Sequence, residues 1–243
     1  MKISEIFLSI QGEGKRTGNL SFFIRTNYCN LRCKFTSGNL CDSPYTSWYP
    51  EDNYNIGEMM VDSIIAEYRK FKTQDIVITG GEPVIQMKDL NTLCRTLKFV
   101  NSKSNITVET NGTFFGEYTG YSDLISISPK MKSSVPEGTE FENLHQKNRI
   151  NTESLKKYEQ GFRDGLYDIQ WKFVINDEND MEEIITLQNE IGFSNENIYL
   201  MPEGIKKSEL KAKRNLVLEL CRKYKMNFSD RLQILFWENE RGK

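Results

Sequence analysis

The stretch Ser21-Phe22-Phe23-Ile24-Arg25-Thr26-Asn27-Tyr28-Cys29-Asn30-Leu31-Arg32-Cys33 runs a short apolar segment straight into a cysteine pair. Ser21–Thr26, rich in Phe and Ile, reads as a β-strand covered on both faces. A third cysteine follows in Thr36-Ser37-Gly38-Asn39-Leu40-Cys41-Asp42. Three thiols on one loop can converge on one metal centre. A structural zinc site is closed by four ligands, so three point to an iron–sulfur cluster with one iron open to an outside ligand. The alternative is a zinc knuckle completed from a distance. The only histidine, His145, lies more than 100 residues on, in a polar stretch that reads as solvated surface.

The strand pattern recurs down the chain. Asp75–Thr79, Ile106–Glu109, Leu124–Ser128, Gln170–Ile175 and Asn197–Met201 are short, apolar and rich in Ile, Val or Phe. Helical spacing of apolar residues fills the gaps, over Gly57–Phe71, Lys88–Val100, Asp180–Ile191 and Ser208–Tyr224. Lys132–Gly165 is harder to phase, and its polar run Glu140–Asn151 reads as an exposed loop or an unphased helix. Strand and helix in alternation imply a parallel sheet with right-handed crossovers. About six such strands predict an α/β fold, an incomplete (β/α) barrel or a strongly curved open sheet.

Ligands gather at the C-terminal ends of such strands. There the sequence places Cys29–Cys41, Gly80-Gly81-Glu82-Pro83, Glu109-Thr110-Asn111-Gly112-Thr113, Ser128-Pro129-Lys130 and Met201-Pro202-Glu203-Gly204. Any one of them could be a turn. Their shared phase outlines one site. Gly80 and Gly81 let the backbone approach a ligand closely, and Glu82 is an acceptor suited to an ammonium group. The Lys-Ser/Thr of a phosphate loop and the longer dinucleotide fingerprint are missing.

The totals exclude several classes. Thirty-two basic against 34 acidic residues give a net charge of −2, not the basic footprint of a nucleic-acid binder. No apolar run spans a bilayer, and Met1–Phe7 shows no signal-peptide pattern, so a cytoplasmic chain is expected, with no membrane partner. Five cysteines in such a chain argue against a disulfide framework. Cys94 and Cys221 sit in helical patterns and read as buried core thiols. One domain over residues 1–243 is expected, with a C-terminal extension covering the site.

The three cysteines and Gly-Gly-Glu-Pro together resemble the radical S-adenosylmethionine superfamily. Ser9-Ile10-Gln11-Gly12-Glu13-Gly14, Phe23-Ile24-Arg25, Cys41-Asp42-Ser43, Thr79, Ser128-Pro129-Lys130, Met201-Pro202 and the tail Arg231-Leu232-Gln233-Ile234-Leu235 resemble the 7-carboxy-7-deazaguanine synthase family. The resemblance implies that Cys29, Cys33 and Cys41 hold a 4Fe-4S cluster. It implies that Gly81, Glu82, Ser128, Pro129, Lys130, Met201 and Pro202 meet S-adenosyl-L-methionine. Ile10, Gln11, Gly12, Glu13, Arg25 and Thr79 would bind a pterin, with Arg25 on its carboxylate, and Ser43 would ligate Mg2+. The implied reaction turns 6-carboxy-5,6,7,8-tetrahydropterin into 7-carboxy-7-deazaguanine and ammonia through a 5′-deoxyadenosyl radical. A flavodoxin or ferredoxin as electron donor and a homodimer are implied too. An enzyme making a glycyl radical on a partner protein, or a non-catalytic zinc- or iron-binding module, would share the cysteines but has no need of Gln11–Glu13 or Arg25.

The sequence departs from the family in three places. Seven residues separate Cys33 from Cys41 where two are usual, as if Thr36–Leu40 were inserted. Such an enlargement costs about 1 kcal/mol of closure entropy, so cluster binding should survive. Leu40 precedes the third cysteine where an aromatic residue is common, and Gln233 stands where a histidine is frequent.

Overall fold

All six apolar runs become strands, and they lie side by side. The computed structural model describes Met1–Lys243. Its sheet contains β1 (Lys2–Ile10), β2 (Leu20–Thr26), β3 (Gly57–Glu58), β4 (Asp75–Gly80), β5 (Asn105–Thr110), β6 (Leu124–Ile127), β7 (Asp168–Ile175), β8 (Ile198–Pro202) and β9 (Asn227–Phe228). The spatial order is β3-β1-β2-β4-β5-β6-β7-β8-β9. From β2 to β9 every pairing is parallel, whereas β1 runs antiparallel to both β2 and β3.

The helices are α1 (Val61–Phe71), α2 (Met87–Val100), α3 (Glu142–Asn148), α4 (Thr152–Arg163), α5 (Asp180–Ile191), α6 (Lys207–Tyr224) and α7 (Leu232–Trp237). Two expectations change. The helix foreseen from Gly57 begins at Val61, because Gly57 and Glu58 instead pair with Ile3 and Lys2 of β1. The polar run Glu140–Asn151 holds α3, and Asn151 then caps α4 by accepting from the Ser154 N–H at 3.2 Å.

Alternation along the strands decides the two faces of the sheet. Phe22 and Ile24, Ile76 and Ile78, Ile106 and Val108, Ile125 and Ile127, and Trp171 and Phe173 join one buried apolar cluster with residues of α1, α2, α4, α5 and α6. Burying each contributes about 1.5–3 kcal/mol. Their neighbours in sequence point the other way, into the concave side: Phe23, Arg25, Thr79, Glu109, Ser126 and Lys172 line one cavity there. Both faces are covered, as expected, but only the helix face is uniformly apolar.

β1 breaks this period once. Ile3 pairs with Thr26 and Glu5 with Arg25, leaving Ser4 as the extra residue of a bulge. Ile3 therefore points into the core while Glu5, two residues on, meets Arg25 on the cavity side.

Candidate active site

The cavity at the strand ends gathers fifteen of the seventeen residues expected to form a site. Ile10, Gln11, Gly12, Glu13, Arg25, Cys29, Cys33, Cys41, Ser43, Thr79, Gly81, Ser128, Pro129, Lys130 and Met201 line it. Glu82 and Pro202 do not.

The cysteine loop forms one wall. Seven residues lie between Cys33 and Cys41, yet the two are neighbours in space, because the chain between them folds as a small hairpin. Lys34 bridges Leu40, the Phe35 N–H donates to the Asn39 carbonyl at 2.8 Å, and the Cys41 N–H donates to the Cys33 carbonyl at 3.2 Å. Gly38 supplies the left-handed turn residue, with φ +90°. The rest of the loop is tied from several sides. Asn30 donates to Thr113 and accepts from Asn111, at 3.0 and 2.9 Å, and the Trp48 indole donates to the Cys33 carbonyl at 3.0 Å.

His145 overturns the expectation of a solvated surface residue. It is buried; its Nδ1 accepts from the Arg32 N–H at 3.2 Å and its Nε2 lies 3.4 Å from Ser134 Oγ. Burial lowers its pKa to about 4, so the ring is neutral. With both nitrogens engaged, it braces the loop from behind.

The glycines also prove structural first. A Cβ on Gly81 would stand 2.1 Å from the Tyr28 carbonyl oxygen, and one on Gly80 would stand 2.3 Å from that of Thr26. Only glycine lets the end of β4 press against the chain entering the cysteine loop. Glu82 is buried beneath it. Its carboxylate accepts from the Val84 N–H, the Thr110 hydroxyl and the Asn111 N–H at 3.1, 2.8 and 2.6 Å. It joins the β4 and β5 ends.

The donor set fits a 4Fe-4S cluster held by three thiolates. Three soft ligands share one wall, and the Leu31 N–H already points at Cys29 Sγ, at 3.4 Å. Burial pushes the Cys29 thiol up to about 12, aided by Glu82 and Cys33, and burial likewise raises Cys33 and Cys41. Lys130 is the facing cation and favours the thiolates of Cys29 and Cys33. Its Nζ donates to Ser128 Oγ at 2.9 Å. Buried thiols of this kind release their protons when they bind metal.

The opposite wall is built of charges, with Glu109 and Lys172 on strands and Glu13 just past the end of β1. Lys172 Nζ lies 3.0 Å from Glu13 Oε2 and 2.9 Å from Glu109 Oε1, and Thr79 Oγ1 donates to Glu109 Oε2 at 2.8 Å. Gln11 Nε2 lies 3.4 Å from the same Glu109. Arg231 reaches in from the C-terminal segment, bonding Glu13 at 3.1 Å, the Gly204 carbonyl at 2.8 Å, and Asp42. Gln233 Nε2 donates to Glu13 at 2.6 Å, while its Oε1 is buried without a donor and sits where a Cβ on Gly12 would be. Burial alone would raise Glu13, but Lys172 and Arg231 outweigh it and hold the carboxylate well below its usual range. Burial opposes the charge on Lys172, and Glu109 with Glu13 overcomes it, so its pKa rises.

Arg25 lies between the two walls. Its Nε donates to Glu5 at 2.9 Å, and Tyr45 and Arg241 share that carboxylate, at 2.9 and 3.0 Å. Ser43 is buried on the cysteine side, 3.4 Å from Asp42 Oδ1. Sequence reading names Glu109 and Arg231 only within motifs, with no role of their own, and misses Lys172. A signal exists for Lys172: Gln170 and Lys172 alternate with Trp171 and Phe173, the mark of a strand with one polar face.

Comparison with known proteins agrees with this geometry. Residues 10–156 match the model of the 4Fe-4S single cluster domain. A 7-carboxy-7-deazaguanine synthase of Halobacterium salinarum is 38% identical over 98% of this chain and 91% of its own. One from Rhodopirellula baltica is 33% identical over 99% of this chain and 88% of its own. Among solved structures, QueE from Escherichia coli superposes with a TM-score of 0.66 at 20% identity, covering 94% of this chain and 92% of that one. Native anSMEcpe, with bound AdoMet and a peptide, gives 0.51 at 15% identity over 87% and 63%. These two share the fold, a parallel sheet that does not close. With near-complete coverage by relatives above 30% identity, this chain belongs to the 7-carboxy-7-deazaguanine synthase family.

Proposed function

We propose that this chain is a radical S-adenosylmethionine lyase that converts 6-carboxy-5,6,7,8-tetrahydropterin to 7-carboxy-7-deazaguanine with loss of ammonia. The observation that carries the reading is one cavity with two unlike walls, three thiols, buried or half-buried, on one and a fixed array of donors and acceptors on the other.

Cys29, Cys33 and Cys41 would hold the cluster, and Gly81, Ser128, Lys130 and Met201 would border S-adenosylmethionine. When bound, these groups supply an electron and the hydrogen abstraction that starts the rearrangement. The chain's own residues bind and orient. Glu13 and Glu109, both paired with Lys172, are acceptors for the N–H edge of a pterin, and the Gln11 amide and Thr79 hydroxyl extend that edge. Arg25 offers its planar fork to the substrate carboxylate, with only Nε committed, to Glu5. Phe7 and Phe23, stacked with ring centroids 5.0 Å apart, give the pocket an apolar patch beside Arg25. Ser43, beside Asp42, is the hard-oxygen position for magnesium.

The C-terminal segment closes the pocket, since Arg231, Gln233 and Lys243 all line it. A flavodoxin or ferredoxin as reductant, a homodimeric state and a cytoplasmic setting belong to the same reading. No helix is long and apolar enough to cross a membrane. A glycyl-radical activase has no use for a Glu–Lys–Glu array in its cavity.

The deciding experiment is product analysis by mass spectrometry after anaerobic reconstitution with iron, sulfide, S-adenosylmethionine and a strong reductant. The expected product is 7-carboxy-7-deazaguanine, formed only with the carboxypterin. Adenosyl cleavage without that product would overturn the substrate assignment.

A further inference from the structure

The seven-residue spacer between Cys33 and Cys41 does more than close a longer loop. The hairpin leans across the cavity to the far end of the sheet. Asn39, at its tip, donates from Nδ2 to Glu203 Oε1 at 2.8 Å and to Glu209 Oε2 at 3.0 Å. Both acceptors are themselves held firmly. Glu203 is buried at the end of β8 and pairs with Lys213 at 2.5 Å. Glu209 accepts the Ile205 and Lys206 N–H groups at 2.8 and 3.2 Å, at the first turn of α6. One amide nitrogen thus joins the cysteine loop, which follows β2, to the β8–α6 connection. Phe35 and Leu40, in the arms of the same hairpin, line the cavity opposite Met201 and Ile205.

We infer that this hairpin is a clasp, and that Asn39 is a positioning residue which fixes the gap between the cysteine wall and the β8 wall. The cofactor that must fit this gap is the one assigned above, so the inference rests on that reading. Without the tether, Phe35, Leu40 and Cys41 would move relative to Met201, and the half of the pocket bordered by both sides would widen. The two carboxylates make the contact sensitive to charge. Aspartate at the tip would add a third anion against two fixed ones, whereas lysine would restore a donor with the opposite sign.

The test compares full-length wild type with Asn39→Asp and Asn39→Lys. Amide hydrogen exchange over residues 34–41 is read before any cofactor is added. S-adenosylmethionine affinity is then measured by equilibrium dialysis on cluster-loaded protein, together with iron content. Asn39→Asp should exchange about tenfold faster and bind S-adenosylmethionine about tenfold more weakly, a 1.4 kcal/mol effect, with iron per chain unchanged. Asn39→Lys should match wild type within about threefold, a rescue that a bulk packing role would not give. The clasp is overturned if Asn39→Asp behaves as wild type, or if Asn39→Lys loosens the loop equally. A wild type that bound no S-adenosylmethionine would instead overturn the functional reading, leaving the clasp judged by exchange alone.

Discussion

The two walls of the cavity are held by different means. The cysteine wall is loop, secured by side chains of its neighbours, and its thiols are desolvated with Lys130 as their facing cation. The Glu13–Lys172–Glu109 wall stands largely on strands, and its charges satisfy one another. The first wall is finished by something from outside, the second by the fold itself. Metal loading and folding stability should therefore respond to different residues.

The largest effect separates them outright. Cys29→Ala should lose the cluster and all turnover while circular dichroism stays that of wild type. Full turnover by that variant would remove the cysteine loop from the chemistry. Lys172→Met is the converse. It strips Glu109 of its cation and leaves Glu13 with Arg231 alone, for about 1.5–3 kcal/mol in chemical denaturation. Iron uptake by the folded fraction should be normal, and a wild-type denaturation midpoint would show that the array contributes no stability.

Arg25→Ala sharpens the contrast within the site. Losing a charge-assisted contact of about 1.5–3 kcal/mol should raise the KM for carboxypterin by one to two orders of magnitude. Cleavage of S-adenosylmethionine by a strong reductant should stay unchanged, and an unaltered KM would place Arg25 in a purely structural pair with Glu5. The smallest effect is in pH. Glu13 lies below its ordinary 4.5, so the stability it gives is complete above that value and lost as pH falls through the folded-state value. The gap between wild type and Glu13→Gln should stay level from about pH 5 to 8 and narrow in stronger acid. A gap that widened in acid would reverse the sign of the Lys172 and Arg231 contribution.

How much of this was readable in sequence follows from the range of the forces involved. The six parallel strands and their helices came from local periodicity, and the strand-end motifs then fell on one cavity. β1 escaped because the bulge at Ser4 interrupts its alternation, and β3 and β9 because two residues carry no period. His145 carries no local sign of its burial, because its neighbours in α3 are polar and Arg32, whose N–H it accepts, lies 113 residues away. Arg231 gave no local sign of its three partners at Glu13, Asp42 and Gly204. Glu82 was legible as important, but its work is to join two strand ends.

The Cys33–Cys41 hairpin carries an arithmetic consequence. The spacer is five residues longer than the usual two, an odd number, yet Cys33 and Cys41 still border the same cavity. The extra length is taken up beyond the Lys34–Leu40 bridge, at the turn through Gly38, while the Cys41 N–H stays on the Cys33 carbonyl. Growth of this loop by evolution or by design is therefore absorbed at its turn and leaves the sulfurs at its base in place.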